Sequence, residues 1–152
     1  MKTIHRSTDD NAATFVLVEE EKAIRDEWLR IASTKNLFLM TYPDAEWFLN
    51  DMRNGVFSGH EKFFLDQDFG EARGVGLRLA RIIKAQWPNA YASLVTAYPK
   101  FLFRREIAAG LLNDAFGKYP APFENPAFTT WEQQYEQEIW VPLTSSLHGC
   151  NG

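Results

Sequence analysis

The residues best placed to do chemistry are acids at the ends of short apolar runs. Phe63-Phe64-Leu65 leads straight into Asp66, and Gln67, Asp68, Phe69 and Gly70 follow. A carboxylate delivered this way has two common uses. It holds a hard cation, or it attacks a phosphoryl donor as a nucleophile. The plainer use is a loop aspartate that caps the next turn. Three further acids, Glu19-Glu20-Glu21, follow the apolar run Phe15-Val16-Leu17-Val18, and Thr96 follows Tyr91 to Val95. As a helix N-terminus the acid triplet would complement the helix dipole, and as a strand-end hydroxyl Thr96 would satisfy backbone. Lys118 reads by itself as an exposed strand-end lysine.

These groups matter only if the chain brings them together, so the elements come next. An apolar run of four to eight residues bounded by turn signals predicts a buried strand. Such runs occur at Thr14 to Val18, Leu37 to Met40, Phe63 to Leu65 and Tyr91 to Val95, with a weaker one at Phe116 to Phe123 that contains Pro120 and Pro122. Helical periodicity separates them. Ile24, Trp28 and Ile31 define one helix, and Phe48, Leu49 and Met52 a second, capped by Asp44. Leu77, Leu79, Ile82 and Ile83 define a third, which Trp87-Pro88-Asn89 ends. Phe101 to Leu112 predicts a fourth helix, and Asn125-Pro126 opens a fifth that Pro142 closes.

Strand and helix thus alternate five times. The expected fold is α/β, a three-layer αβα sandwich around a five-stranded parallel sheet in the flavodoxin-like order 2-1-3-4-5. The expected organisation is a flexible leader over 1–13, one domain over 14–141 and a tail over 142–152. In that sheet order the carboxyl ends of the first, third and fourth strands meet at the switch point, where open α/β sheets place their ligands. Acids from two adjacent strand ends would share one magnesium ion there.

Composition narrows the function classes. The chain has 152 residues, of which 45% are hydrophobic, enough for one core. A net charge of −4 with interspersed signs gives no basic footprint for direct nucleic-acid binding. The single cysteine excludes an intrachain disulfide framework and a cysteine-based zinc site. His5, His60 and His148 are scattered through polar segments and read as surface residues. Gly74 and Gly76 lack the third glycine of a dinucleotide fingerprint. With no apolar run long enough to span a membrane and no signal-peptide core, a cytoplasmic protein is expected.

In this order the motifs resemble the receiver domain of two-component response regulators, over roughly Thr14 to Phe123. Val18-Glu19-Glu20 followed by Ile24-Arg25 resembles the family's acidic pair and first helix. Phe64-Leu65-Asp66 with Gly76-Leu77 resembles its phosphoacceptor strand and the opening of its third helix. Leu94-Val95-Thr96-Ala97 resembles its switch strand, and the Asp66-to-Thr96 spacing agrees. The resemblance implies that Asp66 accepts a phosphoryl group from a histidine kinase or phosphotransfer protein. It implies that Glu19, Glu20, Asp66 and the backbone carbonyl of Asp68 hold Mg2+. Thr96 would be the switch, Ala97 would leave access to the acyl phosphate, and a downstream protein would be the target. A homodimer through the fourth and fifth units is compatible with it.

Two departures stand out. Both members of the acidic pair are glutamates, where the family usually has an aspartate. The family lysine has two candidate registers. Lys118 has the right spacing but precedes Tyr119, whereas Ala121-Pro122-Phe123 has the local motif without the lysine. Two other functions therefore stay open: a pseudo-receiver that acts only as a protein-interaction module, and a small phosphatase of haloacid-dehalogenase type using Asp66 and Asp68.

Overall fold

The computed structural model describes residues 1–9, 12–70, 72–118 and 122. Five parallel strands form the frame: β2 (Thr14–Val18), β3 (Phe38–Tyr42), β4 (Lys62–Asp66), β5 (Tyr91–Val95) and β6 (Asp114–Phe116). Each of the last three connections carries a helix or helical turn. These are α2 (Ala45–Arg53), α3 (Val75–Gln86) and, after a 3₁₀ turn at Lys100–Phe103, the short α4 (Arg104–Ala108). Between β2 and β3 lies α1 (Lys22–Lys35). The parallel strands run β3-β2-β4-β5-β6, which is the expected 2-1-3-4-5 order counted from β2.

A sixth strand, β1 (Thr3–His5), pairs antiparallel with β3 at the edge of the sheet. The leader expected over 1–13 therefore contains an ordered strand. Three residues with one large aliphatic side chain give no readable periodicity. What fixes them lies elsewhere. Lys2 Nζ donates to Asp51 Oδ2 at 2.7 Å, and the buried Tyr42 hydroxyl donates to the same oxygen at 2.6 Å.

The local rules explain the other boundaries. Asn36 ends α1 in the left-handed conformation (φ 55°), and the Leu37 N–H reaches back to the Ala32 carbonyl at 2.9 Å. Asp44 caps α2 by accepting the Trp47 N–H at 2.8 Å. Two expectations change. The helix expected over Phe101 to Leu112 is a 3₁₀ turn plus one short helix, ended at Gly110, whose φ is 79°. The last strand falls at Asp114–Phe116 rather than Phe116 to Phe123. There the Asn113 side chain accepts the Ala92 N–H at 2.9 Å and the Lys84 ammonium at 2.8 Å, which sets the register before the prolines are reached. The expected final helix and the tail lie outside the described residues, as does Ala121.

Alternation along the strands makes two cores. Val16, Val18, Phe63, Leu65, Ala92 and Leu94 face α2, α3 and Phe103. Phe15, Leu17, Leu39, Phe64 and Val95 face α1, where Trp28 is fully buried and meets Phe64 edge-on at 5.5 Å. With both faces of the sheet covered, the rim at the carboxyl ends of the strands is left to carry polar chemistry. Among the described residues no helix is long and apolar enough to cross a membrane.

Candidate functional site

Strand register brings the acids together. Val18 pairs with Leu65, so the next residues, Glu19 and Asp66, leave adjacent strands at the same level. Asp66 pairs in turn with Val95, which puts Thr96 one step further along the neighbouring strand. After β6 the chain passes Gly117 and places Lys118 over the same rim. Its ammonium lies 3.0 Å from Glu19 Oε1, 3.2 Å from Asp66 Oδ1 and 3.7 Å from Glu21 Oε1.

Glu19 is completely buried and Asp66 is 3% exposed. Two buried carboxylates and one ammonium are tolerable because opposite charges alternate, whereas either acid alone would carry a desolvation cost of several kcal/mol. Burial, and then the neighbouring Glu19 carboxylate, push the Asp66 carboxyl up to about 7, with Lys118 opposing the rise. Burial alone would pull the Lys118 ammonium down. The Glu19 and Asp66 carboxylates outweigh burial and hold it above its ordinary value. Glu19 Oε2 accepts the Glu21 N–H at 3.1 Å. Glu19 Oε1 and Asp66 Oδ2 are buried without an aligned hydrogen-bond donor.

Glu20 points elsewhere. Its Oε1 accepts the Gly70 N–H at 2.6 Å, tying the β2–α1 turn to the loop after β4. Glu20 is thus joined to Gly70, while Glu19 and Asp66 share Lys118. Among the described residues no set of three or more His, Cys, Asp or Glu side chains is arranged to hold a metal ion. The donor chemistry nevertheless suits a hard cation. Glu19 and Asp66 offer oxygen donors only, and each has one buried oxygen without an aligned donor.

Asp68 ties the loop after β4 to the start of α3 and to the loop after β5. Its Oδ1 accepts the Gly74 N–H at 2.9 Å, and its Oδ2 accepts the Tyr98 hydroxyl at 2.8 Å. The Gly74 bond is the main influence holding its carboxyl below the ordinary range; burial opposes it, and Tyr98, Arg73 and Lys118 add to the lowering. Arg73 donates to the Tyr98 hydroxyl at 2.9 Å. Thr96, 4% exposed, accepts the Tyr98 N–H on its Oγ1 at 3.1 Å, and its own N–H reaches the Phe116 carbonyl at 2.8 Å. Thr96, Ala97, Tyr98, Glu21 and Lys118 line a depression of about 500 Å³ beside the acids. The bond between Tyr98 and Asp68 has no signature in the sequence, since it joins residues from two loops. The expected surface position of His5 also needs amendment, because its Nδ1 lies 2.8 Å from the Leu37 carbonyl.

Gly76 completes the local geometry. A Cβ there would stand 2.6 Å from the Asp66 carbonyl oxygen and 2.7 Å from Leu94. Only a glycine lets α3 start this close to the strand carrying Asp66, and the Gly76 N–H closes the turn on Gln67 at 3.2 Å.

No protein-family model and no curated protein matches the chain. Solved structures do. The response regulator DrrB of Thermotoga maritima, an OmpR/PhoB homolog, superposes with a TM-score of 0.62 at 18% identity, covering 82% of this chain and 54% of its own. The chain has the fold of a response-regulator receiver domain. It spans about half of that regulator. The response regulator TrrA of Thermotoga maritima, solved in complex with Mg2+ and BeF, matches this receiver-like chain with a TM-score of 0.59 at 16% identity, covering 81% of this chain and 98% of its own. The receiver domain of a Saccharomyces cerevisiae response regulator, co-crystallised with its histidine phosphotransfer protein, gives a TM-score of 0.59 at 12% identity, covering 82% and 88%. The receiver fold expected from the motifs is therefore the fold found.

Proposed function

We propose that the chain is a phosphoryl-accepting signalling switch with Asp66 as the acceptor. The observation that carries this reading is the buried Glu19–Lys118–Asp66 cluster at the carboxyl ends of β2 and β4. An Asp66 oxygen attacks the phosphorus of a phosphohistidine on a kinase or phosphotransfer protein. A P–O bond forms, the P–N bond breaks, and the imidazole leaves. Lys118 offsets the negative charge that gathers on the phosphoryl oxygens, and Thr96 offers its hydroxyl to one of them. Glu19 and Asp66 would hold Mg2+, which when bound supplies charge neutralisation for the incoming phosphoryl group. In this reading Lys118 takes the role of the family lysine, supported by the contacts of its ammonium with both acids. A phosphotransfer partner is in keeping with the co-crystallised yeast receiver.

Binding of a phosphoryl group shifts the domain only to the extent that it favours one arrangement of Thr96 and its neighbours over the other. The test is thermal unfolding with Mg2+ and beryllofluoride. The wild type should gain several degrees of Tm, and Asp66→Asn should gain none. A wild type that does not respond contradicts the switch.

A second reading has a specific observation behind it. Glu20 is committed to the Gly70 N–H, and Lys118 already stands between Glu19 and Asp66. A receiver fold that keeps this internal ion pair in place of a cation would act only through protein interaction. In that case beryllofluoride gives no shift while a partner still binds.

A further inference from the structure

Lys84, in the last turn of α3, is a half-buried amine that the site at the strand ends does not use. Its Nζ donates to the Ala90 carbonyl at 2.5 Å and to Asn113 Oδ1 at 2.8 Å. Both acceptors are uncharged, and no carboxylate pairs with Lys84 among the described residues. Two acceptors match the two N–H groups of a neutral amine and leave its lone pair for attack, whereas an ammonium needs a third acceptor. Burial pulls the Lys84 ammonium down to about 8, so roughly a tenth of the amine is neutral at pH 7. The contact also has a structural side. Asn113 Oδ1 accepts the Ala92 N–H at 2.9 Å, and the Asn113 N–H donates to the Ala92 carbonyl at 2.8 Å. Lys84 therefore helps to fasten the entry of β6, a strand of three residues that leads directly to Lys118.

We propose that Lys84 is an acylation site for small acyl phosphates, and that its acylation unfastens β6. The amine nitrogen attacks the carbonyl carbon of the acyl phosphate. An N–C bond forms, the bond from that carbon to the phosphate oxygen breaks, and phosphate leaves with the electron pair. The nitrogen proton goes to water. The resulting amide keeps one N–H where the amine had two, so either the Ala90 carbonyl or Asn113 Oδ1 loses its donor. The strand it fastens pairs with β5 only over Ser93–Val95. At its far end the Phe116 carbonyl accepts the Thr96 N–H at 2.8 Å, and Lys118 follows two residues on. A change at the amino end of β6 is thus passed along the strand to the ammonium that lies between Glu19 and Asp66. The acylation needs no phosphoryl transfer to Asp66.

The test treats the folded full-length chain with acetyl phosphate and follows each lysine by peptide mapping. Lys84 should gain an acetyl group about tenfold faster than the exposed Lys35. A rate at Lys84 equal to or below that at Lys35 overturns the site. Hydroxylamine strips a phosphoryl group from a carboxylate and leaves the lysine amide. The Lys84 rate should also be the same in Asp66→Asn, so a failure of the phosphoacceptor reading leaves this result standing. Amide exchange then tests the link to β6. Exchange at Thr96 should be about fivefold faster in the acetylated wild type than in the untreated protein, and unchanged in Lys84→Arg treated the same way. Unchanged exchange in the acetylated wild type, or equal acceleration in Lys84→Arg, overturns the link.

Discussion

The Lys118 ammonium lies 3.2 Å from Asp66 Oδ1 while also touching Glu19 at 3.0 Å. One cation thus compensates two buried carboxylates that leave neighbouring strands. Replacing it should expose the cost. Lys118→Met should destabilise the domain by about 2 kcal/mol near neutral pH, because two buried acids lose their only close ammonium among the described residues. Chemical denaturation of the two proteins measures this directly. A variant as stable as wild type would show that the ion pair contributes nothing net.

The same cluster sets a pH dependence. The Asp66 carboxyl is pushed up to about 7 in the folded chain, from an ordinary value of 3.8. The folded state therefore binds the proton more tightly than the unfolded one. The stability from this group is fully present below about pH 4 and is lost as pH rises through about 7. Asp66→Asn should remove that part of the slope. In Lys118→Met the midpoint should move higher, since the charge opposing the rise is gone. Unfolding free energies measured across this window check both statements.

Gly76 offers a steric prediction. The atoms nearest an added Cβ include the Asp66 carbonyl oxygen and the Gln67 Cα, which are backbone and cannot swing away. Gly76→Ala should cost about 2 kcal/mol of stability and displace the start of α3 from the site. Gly55, with nothing near its missing Cβ, lies in the left-handed region (φ 73°). Gly55→Ala should therefore lose only the smaller backbone cost, about 1 kcal/mol. Equal losses at the two sites would contradict the packing argument.

The edge strand depends on Asp51. Its Oδ2 accepts from Lys2 and Tyr42, and the residue is buried. Burial first, then the bond to Asp51, push the Tyr42 phenol far above its ordinary value, so it stays a donor. Lys2→Met should leave the five parallel strands intact and speed amide exchange in Thr3–His5 and at the β3 edge by about tenfold.

The sequence made the parallel frame readable because each central strand is buried on both faces and so appears as a continuous apolar run. Asp66, Thr96 and the acidic triplet were readable as strand-end polar residues. Three features were not. β1 is held by a lysine and an acid 49 positions apart, a contact with no local pattern. The short α4 shows the helical spacing of a longer helix, and only the positive φ at Gly110 reveals the break. Glu20 looks equivalent to Glu19 in the sequence, yet one points to Gly70 and the other to Lys118, a division set by the fold of the loop after β4.

The central claim is that Asp66 accepts a phosphoryl group. Its most direct test is intact mass spectrometry after incubation with Mg2+ and acetyl phosphate. The account predicts a single phosphoryl adduct on the wild type, absent from Asp66→Asn. No adduct on the wild type, or an adduct that survives in Asp66→Asn, would contradict it.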